Sequence, residues 1–156
     1  MAEAVIDLDN RVVQLCVDGT RAEFEGRLDD ARALYQQAWD TAKDDYEACI
    51  AAHYVARFQK TPAAIFYWNQ EALRRADAVA GSRVEAFYPS LYLSMGYACE
   101  QLDDLAEAQR YYALAAALGY AHQDGAAAQA RGAAQPAVVF AKNTKNRRVY
   151  ARLWRI

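Results

Sequence analysis

Apolar residues recur at helical spacing over most of the first 118 residues of this chain. The clearest stretch is Leu91–Leu114, where two apolar stripes are separated by Asp103 and Asp104. Apolar positions three or four residues apart indicate amphipathic helices, and paired acids are typical of a helix start. Small residues at Gly96 and Ala108 allow two helix backbones to approach closely. The pattern therefore predicts a helical hairpin.

The same spacings occur near the start of the chain. In each copy a glycine is followed at 12, 16 and 19 positions by alanine, tyrosine and alanine. The first set is Gly19, Ala31, Tyr35 and Ala38, and the second is Gly96, Ala108, Tyr112 and Ala115. Repetition of one pattern along a chain indicates repeated structural units. We therefore expect two similar helix pairs.

A middle helix pair is predicted between these two. Thr61 and Pro62 form a strong helix start, with the threonine as N-cap and the proline at the first helical position. The register of this pair is open by one position. A count from His53 keeps only the last alanine, whereas a count from Ala52 brings an aromatic residue, Trp68, to the tyrosine position.

Glycine, proline and capping residues predict where the helices begin and end. Gly26 and Gly81 are helix stops, because glycine readily adopts the left-handed conformation that follows a helix. Ser82 and Glu85 have the spacing of a capping box, which predicts a helix start at this point. Pro89 is expected to kink that helix or to mark its true beginning.

Over roughly residues 11–118 the chain resembles the tetratricopeptide repeat family, whose units are 34 residues long, the distance from Gly19 to His53. Asp18, Ala22, Cys99 and Asp103 depart from the family pattern. The resemblance implies an all-α fold, a right-handed superhelical stack of three antiparallel helix pairs followed by a C-terminal extension. We expect residues 1–118 to form this repeat domain.

Charge is distributed unevenly along the sequence. Residues 1–118 contain 19 acidic and 11 basic residues, whereas residues 119–156 contain one acidic and seven basic residues. Residues 119–136 are rich in alanine and glycine, which predicts a linker or weak helix. Residues 137–156 form a basic, amphipathic segment. Its partner-contacting cations are predicted to be Arg147, Arg148, Arg152 and Arg155.

Several roles remain open for residues 137–156. Val149, Leu153 and Ile156 have helical spacing, which favours a helix that caps the repeats. A β-hairpin pairing Val138–Lys142 with Arg148–Arg152 is the alternative. The segment could also dock on the acidic body of a neighbouring copy or contact nucleic acid. We favour capping or self-association and regard nucleic acid or membrane as unlikely partners.

The sequence indicates no catalytic or metal site. Cys16, Cys49 and Cys99 are widely spaced, and no cysteine or histidine pair has metal-ligand spacing. Nucleotide-binding, zinc-protease and serine-hydrolase motifs are absent. We therefore expect a protein that is not an enzyme and holds no cofactor. Acidic residues in place of a signal peptide, and no long apolar run, favour the cytoplasm.

Recognition of another protein is the function that remains. The resemblance implies that the first helix of each pair lines a concave groove, in which aromatic and arginine side chains would bind a peptide. The predicted partner-binding residues are Val13, Cys16, Ile50, Tyr54, Arg57, Phe58, Leu93 and Tyr97. We expect an interaction module or scaffold for a peptide or partner protein. The alternatives are self-association through the basic tail, or a nucleic-acid-binding accessory protein.

Overall fold

The computed structural model describes residues 6–119, and all regular structure within this range is helical. Six α-helices are connected by short turns, and a 3₁₀ turn at Glu85–Phe87 precedes the fifth. The α-helices are α1 Arg11–Phe24, α2 Leu28–Thr41, α3 Asp45–Ala56, α4 Pro62–Ala78, α5 Tyr88–Gln101 and α6 Leu105–Ala117. The prediction of an all-α protein is confirmed for the described residues.

Side-chain caps begin four of these helices. Thr61 and Asp104 accept hydrogen bonds from the backbone N–H groups three residues later, at 3.2 Å in each case. Asp44 caps α3 in the same way, and Asn10 caps α1. These bonds satisfy N–H groups that have no partner inside the helix. The predicted starts at Thr61 and Asp104 are confirmed.

The predicted capping box at Ser82 is not formed, because α5 begins later. Glu85–Phe87 instead makes a short 3₁₀ turn that has no side-chain cap. Pro89 lies in the first turn of α5, so it marks the helix start and does not kink the helix. Proline fits this position because its missing N–H would have no partner in the first turn.

Three helix pairs follow one another, and we call them unit one (α1 and α2), unit two (α3 and α4) and unit three (α5 and α6). In unit one Gly19 packs against the ring of Tyr35, and in unit three Gly96 packs against Tyr112. A Cβ atom at either glycine would lie within 3.0 Å of several ring carbons. The 16-residue spacing predicted from the sequence therefore corresponds to a real contact in both units.

Helices α1 and α3 run in the same direction, and polar contacts join both of their ends. Asn10 donates a hydrogen bond to Glu47 at 2.7 Å where the two helices begin. Arg57 pairs with Glu23 at 2.5 Å where they end. The turn within each of these units therefore lies at one edge of the molecule.

Unit three has the same direction, because α5 packs back along α4 and begins beside the start of α3, where Tyr46 stacks against Phe87. We call the shared edge, which carries residues 25–27, 57–61 and 102–104, the turn edge. Side chains that lie at this edge come from all three units.

The main core is built from units one and two, together with the start of unit three. In α4 the buried positions are Asn69, Ala72 and Ala76, whereas Trp68 turns toward Trp39 of unit one, with ring centroids 4.9 Å apart. This burial fits the register counted from His53. Apart from Gly119, the predicted segments 119–136 and 137–156 lie outside the described residues, as do the four tail arginines. None of the helices within residues 6–119 combines the length and apolarity that a membrane span requires.

Candidate functional site

The predicted partner-binding residues fall into two groups. Arg57, Phe58 and Tyr97 are half-buried and reach the surface. The others are buried, and they are Val13, Cys16, Ile50, Tyr54 and Leu93. The prediction placed all eight along an open groove. In this conformation the second group is not available to a partner, since it belongs to the core clusters.

Helix α3 explains much of this difference. Every residue from Ala48 to Ala56 is buried, and α1, α2 and α4 all pack against this helix. A helix that is apolar on all sides is typical of the interior of a protein. Ile50 and Tyr54 therefore contribute to packing between the units.

A buried ion pair lies at the turn edge between units one and two. The guanidinium of Arg57 donates to the carboxylate of Glu23, and the two side chains are only 11% and 8% exposed. The same guanidinium lies 5.7 Å from the centre of the Tyr54 ring. Because removal of two charges from water is costly, a pair this well buried depends on close geometry.

Aromatic rings form a layer beside this ion pair. The Tyr35 ring stacks on Tyr54 with a centroid separation of 5.0 Å, and Phe58 lies 5.7 Å away. The hydroxyl of Tyr35 is 3.3 Å from that of Thr20, which itself donates to the backbone of Cys16. Arg32 places its guanidinium 5.7 Å from the centre of the Phe58 ring.

Burial controls the protonation of the groups in this region. It raises the pKa of Cys16 and raises the pKa of Cys49 to about 12, so both thiols stay protonated and are poor nucleophiles. Burial, aided by the neighbouring charge of Arg57, lowers the pKa of His53 to about 3, so its ring is neutral at pH 7. Burial also raises the pKa of Glu23, against the opposing effect of Arg57. These shifts accompany packing and leave neither of the two thiols activated as a nucleophile.

A cavity of about 90 Å³ opens beside the aromatic layer. It is lined by Arg32, Tyr35, Gln36, Val55, Phe58 and Gln59. Small-molecule sites usually enclose roughly 300–1,000 Å³. This cavity is therefore too small for a metabolite, and it has the size of one side chain.

A larger cleft of about 510 Å³ lies at the opposite edge, between the end of α2 and the start of α3. It carries Asp44 and Asp45, but both carboxylates have structural roles. Asp44 caps α3, and Asp45 accepts a 2.8 Å bond from Arg75. Within residues 6–119 no group of three or more metal-ligating side chains is present.

Four of the large apolar side chains exposed within residues 6–119 lie at the turn edge. Phe24 is 94% exposed, Leu28 is 53% exposed and Leu105 is 61% exposed, and Leu102 is also exposed. Phe24 follows Glu23 in sequence, and Phe58 follows Arg57, so the ion pair holds both aromatic residues at the same edge.

Sequence reasoning missed Leu28, Leu102 and Leu105 as surface residues. One signal was available, because Leu28 and Leu105 are 77 residues apart, the distance from Gly19 to Gly96. The ion pair has a similar signal in the 34 residues between Glu23 and Arg57, which equal the length of one repeat. Comparisons of the chain with family models, curated proteins and solved structures found no match.

Proposed function

We propose that this protein is a non-enzymatic interaction module of the tetratricopeptide type, in which the three units form a right-handed superhelical stack. Its ligand is an apolar or aromatic segment of a partner protein, bound along the turn edge. The observation that carries this proposal is the exposure of Phe24 at the turn edge, where the half-buried Phe58 also lies. Aromatic side chains at an edge held by packing are typical of the anchors of protein interfaces.

The energetics favour a bound partner. Covering a fully exposed phenylalanine contributes about 1.5–3 kcal/mol through removal of its surface from water. Covering Leu28 or Leu105 contributes less free energy than covering Phe24, because each of the two leucines is only partly exposed before binding. Tyr97 would supply a polar contact at the rim, since it is half-buried and keeps part of its side chain in solvent.

Selection of peptides from a random display library against the full chain tests this proposal. The affinity of enriched peptides is then measured by fluorescence anisotropy for the wild type, Phe24→Ser and Phe58→Ser. We expect apolar or aromatic residues in the peptides and about a tenfold loss of affinity in each variant, as for an interface anchor.

Leu8→Ser is the matched control, because Leu8 is also exposed but precedes α1 at the opposite edge. It should leave the affinity unchanged. Peptides whose affinity is unaffected by both phenylalanine substitutions, or reduced as much by Leu8→Ser, would refute binding at the turn edge.

A further inference from the structure

Unit one binds unit two through a face that unit three also possesses. In unit one this face includes Glu23 on α1 and Tyr35 on α2. An offset of 77 residues places Glu100 and Tyr112 at the same positions of unit three. The offset is that of Gly19 and Gly96, whose contacts with the tyrosine rings are alike.

The two faces also have the same electrostatic arrangement. Glu23 lies near enough to Tyr35 to raise the pKa of its hydroxyl, an effect smaller than that of burial. In unit three burial raises the pKa of Tyr112, and Glu100 raises it further. The carboxylate and the phenol are therefore neighbours in both units. Unit three is the last unit within residues 6–119, so no fourth described unit supplies a cation to Glu100.

The chain contains another segment similar to the one that unit two offers to unit one. The segment of unit two is Tyr54–Phe58, with the sequence YVARF, in which Arg57 pairs with Glu23. Val149–Leu153 has the sequence VYARL, with alanine and arginine at the same two places and apolar residues at the other three. Arg152 is the counterpart of Arg57.

Charge and chain length both permit this match. Residues 6–119 contain 18 acidic and 11 basic residues, whereas residues 137–156 contain six basic residues and no acid. The 29 residues from 120 to 148 connect α6 to the segment. A fully extended chain of that length reaches roughly 100 Å at most, far more than the length of α6.

We propose that Val149–Leu153 binds unit three of its own chain as Tyr54–Phe58 binds unit one, with Arg152 paired to Glu100. The molecule would then carry two equivalent ion pairs, Glu23 with Arg57 and Glu100 with Arg152. The inference rests on the equivalence of the units and not on the partner proposed above.

Cysteine cross-linking in the full chain tests the docking. Gln101→Cys is combined with Arg155→Cys, because their counterparts Phe24 and Lys60 are exposed beside the first ion pair. The native cysteines are buried and should not react. The reagent is a short bis-maleimide, and the control variant combines Phe24→Cys with Arg155→Cys. We expect the link within one chain to form about tenfold faster in the test pair than in the control, because docking raises the local concentration of one thiol near the other.

Charge reversal tests the ion pair in the same background. Glu100→Arg and Arg152→Glu should each slow the cross-link, and the two together should restore its rate. Links between two chains only, or equal rates in the test and control pairs, would overturn docking within the chain. Single reversals without effect on the rate would overturn the Arg152–Glu100 pair.

Discussion

The contact between Gly19 and Tyr35 can be tested by the smallest possible enlargement, Gly19→Ala. An added Cβ would lie 2.8 Å from Cδ1 and 2.9 Å from Cζ of the Tyr35 ring. Carbon atoms in contact are normally about 3.5–4.0 Å apart. The ring carbon Cε1 would lie closer still, so the ring must move by about 1 Å to relieve the overlap.

Little space is available for that movement. Tyr35 is buried, its ring stacks on Tyr54, and Phe58 lies beside it. Overpacking of a buried site costs about 1–3 kcal/mol, and several overlapping ring atoms place this site at the upper end. Alanine recovers about 1 kcal/mol through its higher helix propensity. The net loss in the free energy of unfolding should be about 2 kcal/mol.

Urea unfolding followed by circular dichroism measures this difference. Gly96→Ala is the matched comparison, because its Cβ would also overlap a tyrosine ring, but Tyr112 is only half-buried whereas Tyr35 is fully buried. We expect a smaller loss there, about 1 kcal/mol or less. A gain of about 1 kcal/mol in Gly19→Ala, as propensity alone predicts, would refute the close packing.

Three further predictions concern protonation, the backbone and the ion pair. Because the pKa of His53 falls from 6.5 to about 3 on folding, its contribution to stability is full above pH 6.5 and is lost as the pH falls toward 3. Between pH 7 and 5 the loss should be about 2 kcal/mol, and a His53→Ala variant with the same pH dependence of unfolding would contradict this. Asp103 has a φ of 59°, a left-handed conformation that glycine adopts with less strain than aspartate. Asp103→Gly should therefore raise the free energy of unfolding by about 0.5–1 kcal/mol, and a lower melting temperature would exclude backbone strain at this position. Glu23→Ala and Arg57→Ala should each lower the free energy of unfolding in urea by about 3 kcal/mol. Replacement of both residues, by leucine and methionine, should lower it by less. An equal or greater loss for this double replacement would argue against burial of the charges.

Features that depend on neighbouring residues were predictable from the sequence. The glycine and tyrosine positions complement each other in volume across a single hairpin, so their spacing alone predicts the contact. The caps at Thr61 and Asp104 are equally local, since each bonds an N–H three residues later. The sequence also showed that Asp103 departs from the expected pattern at this turn. Its counterpart 77 residues earlier, Gly26, has the same left-handed conformation.

Features that depend on packing between units were not predictable in the same way. Tyr54 occupies a face that points away from its own partner helix, so the spacing left it on an open groove. Its burial, in part against Tyr35 of unit one, depends on how the units approach each other, which no local pattern describes. Formation of the Glu23–Arg57 pair likewise requires α1 and α3 to run side by side.

The two bonds that join α1 to α3 have a mechanical consequence. A helix anchored at one end can pivot about that end, whereas a helix anchored at both ends keeps its orientation. Asn10 and Glu23 fix the two ends of α1, so units one and two should move as a single body. Contacts between units two and three include the bond of Tyr88 to Asp77 and the stacking of Tyr46 on Phe87, both near the start of α5. Bending of the described chain should therefore occur about that junction, and it would change the separation between Leu105 and Phe24 along the turn edge.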